Sequence, residues 1–100
     1  MTQKILSLAL FLLVAVTMSA QTVPLITGTV FDSEGETAIG AAVKVSGTGN
    51  TAMTDVDGKF SLRNVAAGST VEVSYVGYST SEFKVSATQT DYTVTLQAKN

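Results

Sequence analysis

The sequence predicts a small all-β sandwich of seven short strands, and three observations predict it. Beyond Pro24 the apolar residues recur at every second position, as in Val71, Val73 and Tyr75 interleaved with Glu72 and Ser74. That is the period of a strand, whose successive side chains point to opposite faces, and not of a helix. The alternating stretches are short and separated by Gly, Asp, Ser and Asn, the residues that close turns. The repeating apolar positions are mostly β-branched or aromatic, while the positions between them are Thr, Ser, Lys and Glu. One face of each strand is therefore marked for a core and the other for water.

Residues 1–20 are set apart from this pattern and read as a secretory signal peptide. Lys4 follows the amino terminus, Ile5 to Val16 is apolar except for Ser7, and Thr17-Met18-Ser19-Ala20 supplies small residues before Gln21. A retained membrane anchor is the alternative reading. An apolar core of that length spans ~18 Å as a helix, against ~30 Å of hydrocarbon, and Gln21 and Pro24 interrupt the chain beyond it. The expected division is therefore a signal peptide over 1–20 and one β-sandwich domain over 21–100, with no transmembrane span after cleavage.

The strands succeed one another in order. Ile26, Gly28 and Val30 share one face of the first, which ends in the turn Asp32-Ser33-Glu34-Gly35-Glu36. Ile39, Ala41, Val43 and Val45 line one face of the second, closed by Gly47 and Gly49. A short third strand around 51–55 leads into Asp55-Val56-Asp57-Gly58, beyond which Phe60 and Leu62 of the fourth face inward. After the turn Ala66-Ala67-Gly68-Ser69, Val71, Val73 and Tyr75 form the inner face of the fifth strand. Phe83 and Val85 mark the sixth, and Tyr92, Val94 and Leu96 the seventh. Two antiparallel sheets packed face to face bury all these inner faces, the common solution for about seven short strands.

Composition removes several function classes. The chain carries 6 basic and 8 acidic residues, and loss of Lys4 with the signal peptide takes its net charge from −2 to −3. A basic face for nucleic acid is not available. There is no cysteine, so neither a disulfide nor a lipidated amino-terminal cysteine is possible, and the domain must rely on its core. There is no histidine either. Ser-His-Asp and Cys-His nucleophile systems are thereby excluded, and only a buried carboxylate could serve as a base near neutral pH.

Six blocks in register carry a specific resemblance: Ile26-Thr-Gly-Thr-Val-Phe-Asp32, Gly35-Glu36, Gly40-Ala-Ala-Val43, Val45-Ser-Gly-Thr48, Thr54-Asp-Val-Asp-Gly-Lys-Phe60 and Val73-Ser-Tyr-Val-Gly-Tyr78. In order and spacing the chain resembles the carboxypeptidase-regulatory-like domain found at the amino terminus of TonB-dependent outer-membrane transporters of the starch-utilisation type. The resemblance covers about residues 26–97 and implies a seven-stranded Greek-key sandwich, transthyretin-like or immunoglobulin-like. It implies work in the periplasm or at the outer membrane. The TonB box, plug and long barrel of those transporters have no counterpart here, so transport by this polypeptide alone is not expected. Nor is peptidase chemistry, because metallocarboxypeptidases hold zinc with two histidines and a glutamate. The hydroxyisourate hydrolases of the same fold rely on histidines and a terminal tetrapeptide that Gln97-Ala-Lys-Asn100 does not match.

Two local features are candidate sites. Asp55 and Asp57 alternate before Gly58 as in a calcium loop, but Met53 and Asn64 stand where further ligands belong. The favoured reading is a tight turn with an Asp carboxylate on backbone N–H groups, and no metal or other cofactor is expected. Tyr78 is the candidate for partner contact, since Tyr75 points inward by parity; closing one end of the core is its plainer role.

The expected function is that of a non-catalytic exported binding or assembly module in outer-membrane nutrient uptake. Its partner would be an envelope protein, either a TonB-dependent transporter or an associated surface lipoprotein. The alternative is a structural remnant or fragment of a longer transporter, and an enzyme is the least supported reading. The leader assignment is checked by intact-mass measurement of protein from the envelope fraction. The expected mass is that of Gln21–Asn100, and recovery of the whole chain in the inner membrane would overturn it.

Overall fold

The computed structural model describes residues 21–99, and the expected signal peptide lies outside them. Seven strands are present: β1 (Thr22–Phe31), β2 (Ala42–Val45), β3 (Thr51–Met53), β4 (Lys59–Ala66), β5 (Thr70–Ser74), β6 (Ser81–Lys84) and β7 (Asp91–Thr95). They form a three-stranded sheet in the order β4-β1-β7 and a four-stranded sheet in the order β3-β2-β5-β6. The first strand is thus the middle of its sheet, hydrogen-bonded to β4 on one side and to the last strand on the other. β7 runs parallel to β1, whereas the sequence pattern suggests antiparallel pairing throughout; every other pair is antiparallel. Local alternation fixes which face is buried and carries nothing about the direction of a neighbour so distant in sequence.

The inner faces of the two sheets supply one continuous core from Val23 to Leu96, including Ile26, Val30, Val43, Val73 and Val94. Within it Gly28 has a specific role. Its cross-strand partners are Phe60 on β4 and Tyr92 on β7. A Cβ on Gly28 would stand 2.5 Å from Phe60 Cε1 and 2.8 Å from the Tyr92 carbonyl oxygen. The missing side chain makes room for the Phe60 ring across the middle strand. There the ring meets Phe83 of the opposite sheet, with centroids 6.4 Å apart, and Phe83 stacks on Tyr92 at 4.5 Å. The Tyr92 hydroxyl then accepts from Ser86 N–H and donates to the Gln89 carbonyl, both at 3.0 Å, which fixes the β6–β7 loop.

The ribbon of β1 and β4 changes face midway. Ile26 and Leu62 are partners and both buried, yet Val23 and Val65, three residues away on each strand, are also partners and also buried. The break falls at Pro24 and Asn64. Pro24 has no N–H for a ladder, and Asn64 has φ 55°, the left-handed region that Asn tolerates better than most residues. Both strands rotate there together, so one ribbon covers the middle and one end of the core.

The β1–β2 connection corrects one sequence expectation. Ile39, expected on the core face of the second strand, is 54% exposed, and β2 begins only at Ala42. Gly40, with φ 79°, turns the chain, and Ala38 and Ala41 take the buried positions on either side. Thr54 holds this loop from beneath. Its buried hydroxyl donates to the Ala38 carbonyl at 2.6 Å and accepts from Ala41 N–H at 2.8 Å, while its backbone carbonyl accepts from Gly40 N–H at 3.1 Å. With Thr54 bound to this loop, β3 ends at Met53, short of the expected 51–55.

The aromatic contact across Gly28 is open to a double-mutant test. Phe60→Ala is expected to cost about 3–5 kcal/mol, as for a large buried aromatic side chain. Gly28→Ala should also destabilise, by about 1–3 kcal/mol through overpacking. Because the added methyl clashes chiefly with the Phe60 ring, the double mutant should lose less than the sum. Denaturant unfolding of the four proteins checks this, and strict additivity would separate the two residues.

Candidate functional site

The two Asp-Gly turns have the same construction. Asp32 Oδ1 accepts from Glu34 N–H at 2.9 Å and Glu36 N–H at 3.0 Å. Asp55 Oδ1 accepts from Asp57 N–H at 2.9 Å and Lys59 N–H at 3.0 Å. In each, the Gly three residues after the Asp has positive φ and donates its N–H back to the Asp carbonyl, Gly35 at 3.2 Å and Gly58 at 2.9 Å. The carboxylate replaces the partners that a tight turn leaves its amides without. Gly58 is further confined, since a Cβ there would lie 2.8 Å from the Val30 carbonyl oxygen.

This geometry places the metal candidates. Asp55 Oδ1 is committed to two backbone donors, and Asp57 is an exposed residue of the same turn. Among the described residues no three His, Cys, Asp or Glu side chains converge. The hydrogen bonds from Lys59 and Asp57 N–H hold the Asp55 carboxyl below its ordinary value of 3.8, with a smaller contribution from the Lys59 charge.

Tyr78, the candidate for partner contact, is half-buried. It lies just past the β5–β6 turn and bridges to Ala98, and its ring packs on that of Tyr75 with centroids 5.6 Å apart. Tyr75 is also half-buried, because β5 ends at Ser74 and the chain turns at Gly77. Both rings rest against the core and border an open groove of about 370 Å³ whose lining includes Ser74, Val76, Thr80 and Lys99. Sequence parity separates the two tyrosines, one inside and one free. The fold brings them together as a pair, and the carboxy-terminal segment is tied beside them by Ser79 N–H to the Gln97 carbonyl and Lys99 N–H to the Gly77 carbonyl. No periodicity could show this, because the tail joins by contacts distant in sequence.

The ionisation of Asp55 is linked to the turn it holds. A depressed folded pKa means that the ionised form favours the fold above the unfolded carboxyl value, an advantage lost as pH falls through the folded value. The Asp55 carboxyl carbon should titrate by NMR with a midpoint below 3.8. Calcium should leave both that midpoint and the thermal transition unchanged. A calcium-dependent rise in the transition, abolished in Asp55→Asn/Asp57→Asn, would identify a metal loop instead.

A CarboxypepD_reg-like domain model matches residues 26–100. The TonB-dependent receptor SusC of Bacteroides thetaiotaomicron is 43% identical over 60 residues, covering 60% of this chain and 6% of the receptor. The chain thus corresponds to a small part of that relative's length. Among solved structures, a chain of the type II cohesin–X–dockerin complex from Acetivibrio cellulolyticus superposes with TM-score 0.64 and 26% identity, over 76% of this chain and 58% of that one. The Bacillus anthracis TIE protein shares the fold at TM-score 0.55 and 20% identity, over 80% of this chain and 17% of that one. With three quarters of its length under one family model and the seven-stranded sandwich in place, the chain belongs to the CarboxypepD_reg-like domain family.

Proposed function

We propose that this domain is a non-catalytic, exported binding or assembly module of outer-membrane nutrient uptake, acting with a TonB-dependent transporter or its surface lipoprotein. The observation that carries this reading is the 43% identity to the TonB-dependent receptor SusC over 60 residues. The architecture agrees with it. The interior is filled by the domain's own side chains, and four surface depressions of about 350 to 390 Å³ are open grooves. Small-molecule sites are usually enclosed and lined by convergent polar groups. A domain of this kind recognises a partner with its outside, by strand edges and loops. The small share of the receptor that is matched, 6%, favours a second reading, in which the domain is a structural portion of a longer transporter without separate activity.

Crosslinking in cells, followed by affinity capture of tagged Gln21–Asn100, distinguishes the two. The expected result is enrichment of a TonB-dependent transporter or surface lipoprotein over a control with scrambled surface residues. Failure to enrich any envelope protein would leave the second reading.

A further inference from the structure

The β1–β2, β3–β4 and β5–β6 connections all open at one end of the sandwich, because β1 is antiparallel to β4 and β2 is antiparallel to both β3 and β5. Of the five large hydrophobic residues left exposed in the described chain, four lie at this end: Ile39 at 54%, Met53 at 68%, Val56 at 74% and Val76 at 93%. They come from the three connections at that end and the strand that feeds one of them. Met53, Ala42 and Ser74 are register partners on three adjacent strands, so the first and last are about 10 Å apart. Ile39 is held against the next residue, Thr54, by the hydrogen bonds on either side of it, and Val56 comes two positions later. Val76 stands two residues beyond Ser74, on the lip of the groove of Tyr75 and Tyr78. The opposite end has the connections Ser46-Gly47-Thr48-Gly49-Asn50, Ala67-Gly68-Ser69 and Ser86-Ala87-Thr88-Gln89-Thr90, all small or polar. Single exposed apolar residues need no explanation, but four gathered at one end do. Side chains this exposed add little to the stability of the fold.

The same end is acidic. Asp32, Glu34, Glu36, Asp55 and Asp57 lie in its loops, against Lys59 and Lys99. A second copy docking through this surface would bring like charge to like, and an anionic lipid surface would be repelled in the same way. A basic segment bearing apolar side chains complements both the acidic rim and the apolar tips. We infer that the loop end formed by Ile39, Met53, Val56 and Val76, with the Tyr75–Tyr78 groove beside them, docks a basic, apolar-bearing polypeptide segment of the partner. The inference rests on the binding-module reading and names the surface that reading requires.

The test uses labelled Gln21–Asn100, which contains the whole core, on a peptide array spanning acidic to basic net charge at matched apolar content. Basic apolar-bearing peptides should be retained preferentially, with retention falling as salt is raised. For the best peptide, Val56→Ser/Val76→Ser should weaken binding by about tenfold, the scale of an interface anchor. Glu34→Gln/Glu36→Gln/Asp57→Asn should weaken it as well, and amide NMR shifts should map to 39–40, 53–57 and 75–78. Retention of no peptide, indifference to charge, unaltered binding by the Ser variants, shifts confined to the β6 and β7 edges, or self-association through this end in sedimentation would each overturn the inference. If an envelope partner is nevertheless captured in cells, the module stands and only this surface is lost. If none is captured, the module itself is lost.

Discussion

The absence of a side chain at Gly28 is the constraint on which the aromatic centre of the domain depends. β1 is the middle strand of the smaller sheet, and its inward position at residue 28 lies between two aromatic cross-strand neighbours. Any Cβ there would collide with the Phe60 ring and approach the Tyr92 carbonyl oxygen. With glycine, Phe60 can cover the strand and reach Phe83, so one aromatic group links β4 to the opposite sheet and, through Tyr92, to β7. Glycine weakens a strand by roughly 0.5–1 kcal/mol relative to alanine, but a well-packed buried aromatic contributes several times that. The strand tolerates the weaker residue because the ring that replaces its side chain contributes more.

The two Asp-Gly turns and the β1–β2 connection, by contrast, owe their shape to polar contacts. Asp32 and Asp55 each satisfy two amides, and Thr54 satisfies one donor and one acceptor of the β1–β2 connection while itself buried. No buried side-chain polar atom among the described residues lacks a partner. These contacts fix the backbone from within the loops, leaving the side chains at the tips, such as Ile39 and Val56, outside the packing. Turn shape and surface character are thereby set by different residues. Substitution at a tip need not disturb the turn that presents it.

The alternation legible in the sequence concerns faces, and there it is reliable. Phe60, Leu62, Val71, Val73, Tyr92, Val94 and Leu96 are all buried on the side their parity assigns. Alternation is a local record of which face meets the core, so it survives wherever a strand is regular. It fails at Ile39, where a glycine turn and the hydroxyl of Thr54, thirteen residues from the Ala41 amide it binds, interrupt the period. Nor does it show that β1 and β4 together change the face they bury at Pro24 and Asn64, because that twist needs both strands at once. The Asp55 turn is legible since its bonds are local. The Tyr75–Tyr78 pair and its groove are not, since they depend on where the segment 97–99 returns.

A sandwich this small has little freedom in where it can place recognition. Its two sheets fill the interior, and its edges offer backbone groups with limited side-chain identity, so they supply affinity more readily than discrimination. The loop end differs in being both distinctive and already ordered. Asp32, Asp55 and Thr54 hold the β1–β2 and β3–β4 connections before any partner arrives, and the backbone bonds of Ser79 and Gly77 to the segment 97–99 hold the β5–β6 connection, so binding there would not have to order three connections at once. The cost of immobilising loops and side chains is a large part of what separates weak from strong interfaces of equal area. The polar bonds inside the loops and the apolar residues at their tips are therefore two halves of one arrangement: the first removes the ordering cost, and the second provides the surface that benefits from its removal.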